Sequence, residues 1–414
     1  MGEEDRVRIE LPQLLWYDNT RRELDLPDAW DVSVCPMRGA ARPPMTSEQM
    51  AKAIARPIGT PLLRDLAAGR KSAVIVFDDM TRPTRTYELA PLVLEELAAG
   101  GIQASGITFV CALGAHGALS MHEFRKKLGP AIVENYRVFN HNPYEHCVEL
   151  GHTSFGTPVS INREVMEADI KVGIGCVTAH AQTGFSGGGK LLLPGVAHMD
   201  AISHYHLDVV SRAPETTGLG KFENNIMRQN IAEAADMVGM DFKIDVLVND
   251  RGATTAVFAG DLALVHGQAV ALAKDVYATD PRPADKDLVI ANAFAKANEM
   301  TIALRVGAMA LADRRGTLVL IANSPEGQVV HYLLGRFGRN YGGRQYPVAS
   351  IPKDLDLIIM APWPDKTFAD WFANPEKVTW TRDWEETLAL LKPKFGAHCR
   401  VAVIPNATMQ YYEQ

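Results

Sequence analysis

Reactive side chains crowd into one stretch, Cys176 to His206, which reads CVTAHAQTGFSGGGKLLLPGVAHMDAISHYH. His180 comes first, then four glycines (Gly184, Gly187, Gly188, Gly189), Lys190, and finally His198, His204 and His206. Nine of the twelve histidines lie between residues 116 and 206, a density that points to proton transfer, metal binding or both. The glycines make a loop whose backbone can approach a ligand closely, and Lys190 adds an amine at its end. Gly184 to Lys190 also fits the phosphate-loop spacing of glycine, four residues, glycine, lysine. That loop needs Ser or Thr next and a helix opening at the lysine. Here Leu191 follows, and Pro194-Gly195 interrupts any such helix. His198, His204 and His206 raise a conventional three-histidine zinc site, but no cysteine stands at ligand spacing and H-x-H is a weak signal. A glycine-rich turn with a surface lysine and satisfied histidines is the plain structural alternative, against which the histidine density argues. His122, His141, His146 and His152 read as surface or structural residues.

The elements that must position these groups alternate between strand and helix. Residues 72–77, SAVIVF, form a continuous apolar run of buried-strand character that ends in Asp78-Asp79 and a Thr81-Arg82-Pro83 turn. Apolar residues at helical spacing follow over 87–99 and stop at Gly100-Gly101. A second strand over 106–112 ends just before Gly114-Ala115-His116, with a helix at 120–128. Residues 137–140 and 170–177 read as further strands, the latter ending before His180. Asp79, Arg82, His116 and His180 therefore all fall beyond the carboxyl ends of strands, the rim where open α/β sheets bind ligands. A helix over 221–240 and a strand over 243–249 complete the first half. After a boundary near residue 270, strands at 287–291, 316–321, 355–360 and 400–404 and a helix at 295–312 give a smaller α/β domain. The basic glycine-rich stretch Arg336 to Arg344 reads as a solvated loop.

His180, the Gly184-Phe185-Ser186-Gly187-Gly188 run, Lys190, Pro194-Gly195 and His206 resemble the signature of the lactate racemase family, the nickel-pincer-nucleotide enzymes. Asp79-Met80-Thr81-Arg82-Pro83 and Gly114-Ala115-His116 match that family's two other site motifs in the same order. The resemblance covers most of the chain, concentrates between residues 78 and 206 and weakens beyond residue 290. It implies a racemase or epimerase of a 2-hydroxy acid, working by proton-coupled hydride transfer through a 2-keto acid. The implied cofactor is nickel held by a pyridinium-3,5-bisthiocarboxylic acid mononucleotide, joined covalently to Lys190, with His206 as a nickel ligand. Asp79, Thr81 and the backbone of Gly187, Gly188 and Gly189 are the implied nucleotide contacts, and Trp363 the residue closing over the site. His116 and His180 match the pair of bases, and Arg82 the group that binds the substrate carboxylate. Two departures stand out. Counting from His206, the family's second-domain Tyr-Gln pair and Lys fall on Met300, Thr301 and Leu304, and Gly117 replaces an arginine after the first histidine. Lys296 and Arg305 are candidates for the missing cation. These differences imply a substrate other than lactate. The rival readings are a histidine-metal hydrolase or lyase, and a non-catalytic protein that binds the same cofactor.

Length and composition agree with a two-domain enzyme. At 414 residues, 47% hydrophobic and 22% charged, the chain can bury two cores. The expected architecture is α/β, two domains with mostly parallel sheets and the active site in the interdomain cleft. Residues 1–270 form the cofactor-binding domain and 271–414 the smaller one, with the option that the last strand returns to the first. A net charge of -7 gives no reason to expect nucleic acid or an anionic membrane as partner. The expected partners are a small 2-hydroxy acid and the enzymes that make the cofactor; oligomeric state is open. Five scattered cysteines and an N-terminus without a signal-peptide plan point to a cytoplasmic protein.

Overall fold

A computed structural model describes residues 6–335 and 350–413; the basic stretch expected at 336–344 lies outside the described residues. The chain divides into two compact units, residues 42–275 and residues 1–41 together with 276–414. It opens with the hairpin β1 (Arg6–Pro12) and β2 (Arg21–Pro27), followed by β3 (Asp31–Val34). The expected domain of residues 1–270 is therefore corrected at its start. β3 pairs with a strand near the C-terminus, and Leu11, Leu24, Leu26 and Trp30 share one core with Val401 and Val403.

Residues 42–275 build a six-stranded sheet in the order β13-β12-β9-β4-β5-β6. Its first strands are β4 (Ala73–Asp78), β5 (Ile107–Ala112) and β6 (Arg137–Asn140). A separate hairpin, β7 (Cys147–His152) and β8 (Pro158–Asn162), precedes β9 (Ile170–Cys176), and a two-residue pair, β10 (Ala179–His180) and β11 (Gly184–Phe185), comes next. β12 (Phe242–Val248) and β13 (Thr254–Gly260) end the unit, and only β13 runs antiparallel to its neighbour. Every residue of β4 is buried, as suits a parallel strand covered on both faces. Phe77 meets Phe109 and Phe124 edge-on at 6.4 and 6.2 Å, which seats the helix Met121–Leu128 against the sheet. From β4 the chain moves through β5 to β6 on one side, then crosses to β9 and β12 on the other. This reversal of strand order opens a crevice at the carboxyl ends of β4, β5 and β9.

The other unit carries an all-parallel sheet, β17-β16-β15-β14-β18-β3, of β14 (Leu288–Asn292), β15 (Gly316–Ile321), β16 (Leu355–Met360), β17 (Val378–Thr381) and β18 (Arg400–Ile404). The last strand thus stays here, between β14 and β3, and does not return to the first domain. The single helix expected over 295–312 is broken. A 3-10 turn, Phe294–Glu299, holds Lys296 at φ -131°, ψ 51°, and the α-helix proper is Thr301–Ala308. Met300 is buried in this core with 1% exposure, so it offers no side-chain surface to a substrate, whereas Thr301 and Leu304 remain partly exposed. Lys296 is fully buried and Arg305 exposed. No helix among the described residues is long and apolar enough to cross a membrane.

Candidate active site

The turn after β4 is built around buried charge. Lys127, on the helix Met121–Leu128, is fully buried. Its Nζ lies 2.8 Å from Asp78 Oδ1 and donates to the carbonyls of Asp79 and Arg82 at 2.9 Å each. Asp78 Oδ2 also accepts from Thr84 Oγ1 and, at 3.0 Å, from the Cys176 amide, tying the ends of β4 and β9 together. The next carboxylate, Asp79, accepts from the Thr81 amide at 3.0 Å and from the Thr81 hydroxyl, and its Oδ2 lies 2.6 Å from His116 Nδ1. Burial alone would raise the Asp79 pKa. His116, Arg82 and Thr81 outweigh it and hold the carboxyl well below the usual range. Arg82 Nη1 is anchored on the Thr81 carbonyl and hydroxyl at 2.9 and 2.8 Å. Asp79 and Thr81, expected to hold the nucleotide, are buried and serve here to fix His116 and Arg82, which both keep part of their surface open.

His180 sits on the β10–β11 pair, which then delivers the chain into the glycine loop. Its Nδ1 accepts from the amides of Gln182 and Thr183 at 3.2 and 3.3 Å. The loop is gripped from behind. Arg228, on the helix Ile226–Val238, donates to the carbonyls of Thr183, Gly187 and Ser186 at 3.2 Å each and to that of Phe185. Asp245 on β12, fully buried, accepts from the Gly188 amide at 2.9 Å and pairs with Lys243 at 2.6 Å and His266 at 2.9 Å. Burial pushes His266 down to about 4, with Arg228 adding to the effect. Gly188 has φ +59°, and a Cβ there would stand 2.5 Å from the His266 ring. Val177 and Ile231 close off Gly187 and Gly189 in the same way. The three glycines are thus required by the chain's own packing, and the Gly188 N–H, expected to face a nucleotide, is given to Asp245. Past the loop comes a short 3-10 turn, Gly188–Leu191, in place of the helix a phosphate loop would open.

Lys190 and His206 meet around Tyr205. Lys190 Nζ lies 5.6 Å from the Tyr205 ring centre, and the Tyr205 and His206 rings are 4.6 Å apart, edge to face. His206 falls on a π-helical turn, Tyr205–Val209, which re-aims its ring relative to a regular helix. Its Nδ1 donates to the Ile202 carbonyl at 2.8 Å, which leaves the lone pair on Nε2. Burial, then the charge of Lys190, then His116, push its pKa down to about 3. A neutral imidazole with its Nε2 lone pair kept available, beside a primary amine, is the donor set that a covalently tethered nickel cofactor needs. The residues present fit that group.

The remaining expectations separate. His198 Nδ1 accepts from the Asp200 amide, and His204 Nδ1 lies 2.8 Å from Thr157 Oγ1, so these two and His206 each answer to a different partner. Among the described residues no group of three or more His, Cys, Asp or Glu is placed to hold a metal by itself. His141 is buried between Ala197 and Asn162, and burial pushes it down to about 4. Trp363 belongs to the other unit and is 49% exposed there. Sequence reasoning missed Lys127, Asp245, Arg228, His266 and Tyr205.

Residues 17–218 match the lactate racemase N-terminal domain. Curated relatives include the lactate racemase of Thermoanaerobacterium thermosaccharolyticum, 29% identical over 67% of this chain and 65% of that protein. The lactate racemase of Lactiplantibacillus plantarum is 28% identical over 68% of this chain and 66% of that protein. The matched stretch thus spans slightly less than two thirds of either relative. Among solved structures, the lactate racemase apoprotein of T. thermosaccharolyticum superposes with a TM-score of 0.75 at 22% identity, covering 99% of this chain and all of that one. A Thermotoga maritima protein gives 0.65 at 17% identity, covering 89% of this chain and 99% of that one. These likenesses establish the two-unit α/β fold.

Two outcomes follow from the buried charges. Lys127→Met leaves Asp78 without its countercharge and two carbonyls without their donor. It should cost about 3–5 kcal/mol of stability, measured by chemical denaturation; a loss under about 1 kcal/mol would contradict the network. His141, His206 and His266 are neutral in the fold but titrate near 6.5 once unfolded. Their folded values are lower, so the unfolded chain takes up the extra protons first. This stability is complete above about pH 6.5 and is lost progressively as pH falls towards 4. Denaturant midpoints between pH 8 and 4.5 should follow that course, with a shallower fall in His266→Gln.

Proposed function

We propose that this chain, similar to lactate racemases over residues 17–218 and in its whole fold, is a racemase or epimerase of a 2-hydroxy acid other than lactate. The observation that carries this reading is the neutral His206 beside Lys190, on the rim that also holds Arg82 and His116. Lys190 would hold a nickel-pincer nucleotide covalently and His206 would ligand its nickel. When bound, that group supplies an acceptor for the hydride of the substrate's C2–H bond. Everything else falls to the chain. Arg82, its guanidinium anchored on Thr81, would bind the substrate carboxylate. The substrate hydroxyl gives its proton to His116, whose imidazolium form the ionised Asp79 stabilises. A planar 2-keto acid, its carboxylate kept on Arg82, would then turn about the C1–C2 bond and be reduced on its opposite face, which inverts C2. His180 would be the second base, exchanging the hydroxyl proton of the other enantiomer.

The preference for an acid other than lactate rests on the C-terminal unit. The positions counted to the family's Tyr-Gln pair and Lys hold Met300, Thr301 and Leu304, which carry no charge. Since Met300 is core, Thr301 and Leu304 are left to favour a longer or partly apolar acid, aromatic, branched or sugar-derived.

Protein co-produced with the cofactor-making enzymes should carry a mass adduct of a few hundred daltons on Lys190, read by intact and peptide mass spectrometry. His206→Ala should keep that adduct and lose nickel, and His116→Ala should keep both and lose racemisation by at least about 10²-fold. Zinc without an adduct would favour a plain metal hydrolase instead. An adduct with no turnover on any acid would favour a cofactor-binding protein. Across a panel of enantiopure 2-hydroxy acids, loss of optical rotation should be faster for a longer acid than for lactate. Lactate as the best substrate by kcat/KM would refute the specificity.

A further inference from the structure

The all-parallel sheet of the C-terminal unit has a rim of its own. The chain leaves β14 towards β15 and comes back at β18 on the other side, so strand order reverses at β14. We propose that the carboxyl end of β14, between Asn323 and Asn406, binds a ligand through a run of adjacent hydroxyl groups, as in a polyol or a sugar acid. This stands on that unit alone and does not require the racemase reading.

The strand register places the groups. Asn292 ends β14 and pairs with Ile321 of β15, while Ala291 pairs with Ile404 of β18. Asn323 and Asn406 thus each lie two residues past the last paired residue of their strand, one on either side of β14. Two strand spacings put these ends about 10 Å apart. Asn406 is 1% exposed, and among the described residues neither its side-chain oxygen nor its side-chain nitrogen meets a hydrogen-bond partner. Asn323 Oδ1 and Gln13 Oε1 are buried and unmatched in the same sense. Buried amides are costly to leave so, and each such group calls for a use. The network around them is otherwise complete. Asn292 Nδ2 donates to the carbonyls of Pro12 and Pro405 at 2.8 Å each, and its Oδ1 accepts from Gln13 Nε2 at 2.8 Å. Gln13 Nε2 also donates to the Pro12 carbonyl, which fixes which end of that amide is the oxygen. The backbone N–H of Asn406 goes to Gln410 Oε1 at 2.9 Å, and Gln410 Nε2 is taken by the Cys35 carbonyl and Thr279 Oγ1. Gln410 therefore has no donor left for the Asn406 side chain.

The unmatched atoms choose the ligand. Asn406 offers both a donor and an acceptor, and Asn323 and Gln13 offer acceptors. A carboxylate only accepts, so it would face three acceptor oxygens with nothing to give them. An ammonium only donates, so it would leave Asn406 Nδ2 unmatched. A hydroxyl does both, and a chain carrying several can reach from Asn323 to Asn406. Water shares that two-way chemistry, and a titration separates the two.

The test is NMR on the full chain with 15N-labelled asparagine, following the side-chain NH2 signal of Asn406, identified by its loss in Asn406→Asp. Sorbitol and gluconate, a neutral polyol and a sugar acid, are the probes, with propionate as the acceptor-only control. The signal should shift saturably with sorbitol, gluconate or both, and stay in place with propionate. Affinity for the probe that moves it, read by calorimetry, should weaken at least about tenfold in Asn406→Leu. A signal that neither polyhydroxy probe moves means that the amide holds water alone, and it overturns the proposal. So does a shift shared with propionate, or an affinity that Asn406→Leu leaves unchanged. The wild-type titration decides the matter even if Asn406→Leu misfolds. It reads no turnover, so a failed racemase reading leaves this result intact, and an unmoved signal leaves the racemase reading intact.

Discussion

One buried ammonium underlies the site. Lys127 is buried away from solvent, so it needs the Asp78 carboxylate and the two carbonyls it meets, and those belong to the turn that carries Asp79 and Arg82. Asp78 in turn reaches across to β9, and so the spacing between the ends of β4 and β9 is set by a charge pair with nowhere to relax. His116 and Arg82 inherit their placement from this arrangement. A surface salt bridge could not do the same, since solvent would let either partner move.

A second buried pair does the equivalent work on the other side of the crevice. Lys243 and Asp245 lie on one face of β12, and with His266 and Arg228 they hold the glycine loop by its backbone. Because Arg228 donates to four backbone carbonyls of the loop, the loop's conformation is imposed by the chain behind it. The glycines answer a close approach of protein to protein, which explains why they cluster without forming a phosphate loop.

Much of this architecture is legible in the amino-acid order. The apolar run into Asp78-Asp79, the helix ending at Gly100 and the strand before His180 announce their elements by period and by the residues that stop them. The supporting charges were harder to see. Lys126 and Lys127 are neighbours on one helix, and only the spacing from Phe124 places the second on the apolar face. Lys243 and Asp245 alternate with Phe242, Ile244 and Val246 in a strand buried on both faces, where a polar residue gives no sign of its partner. The allegiance of residues 1–41 was illegible for a different reason: β3 joins its sheet through Arg400 and Val401, a pairing too distant for any local pattern to record. Similarly, the break at Lys296 lies inside a stretch of good helical period.

That distant pairing bears on how the protein comes into being. Asp31 meets Arg400, and β18 separates β3 from the remainder of its sheet, so β3 has no place in that sheet until β18 has been synthesised. The unit of residues 42–275 needs nothing from either flank for its own sheet and can close while synthesis continues. The apolar residues of the opening hairpin, among them Leu11 and Leu24, stay exposed through that interval. Chaperone demand should fall on this N-terminal segment, far in sequence from the residues that perform the chemistry.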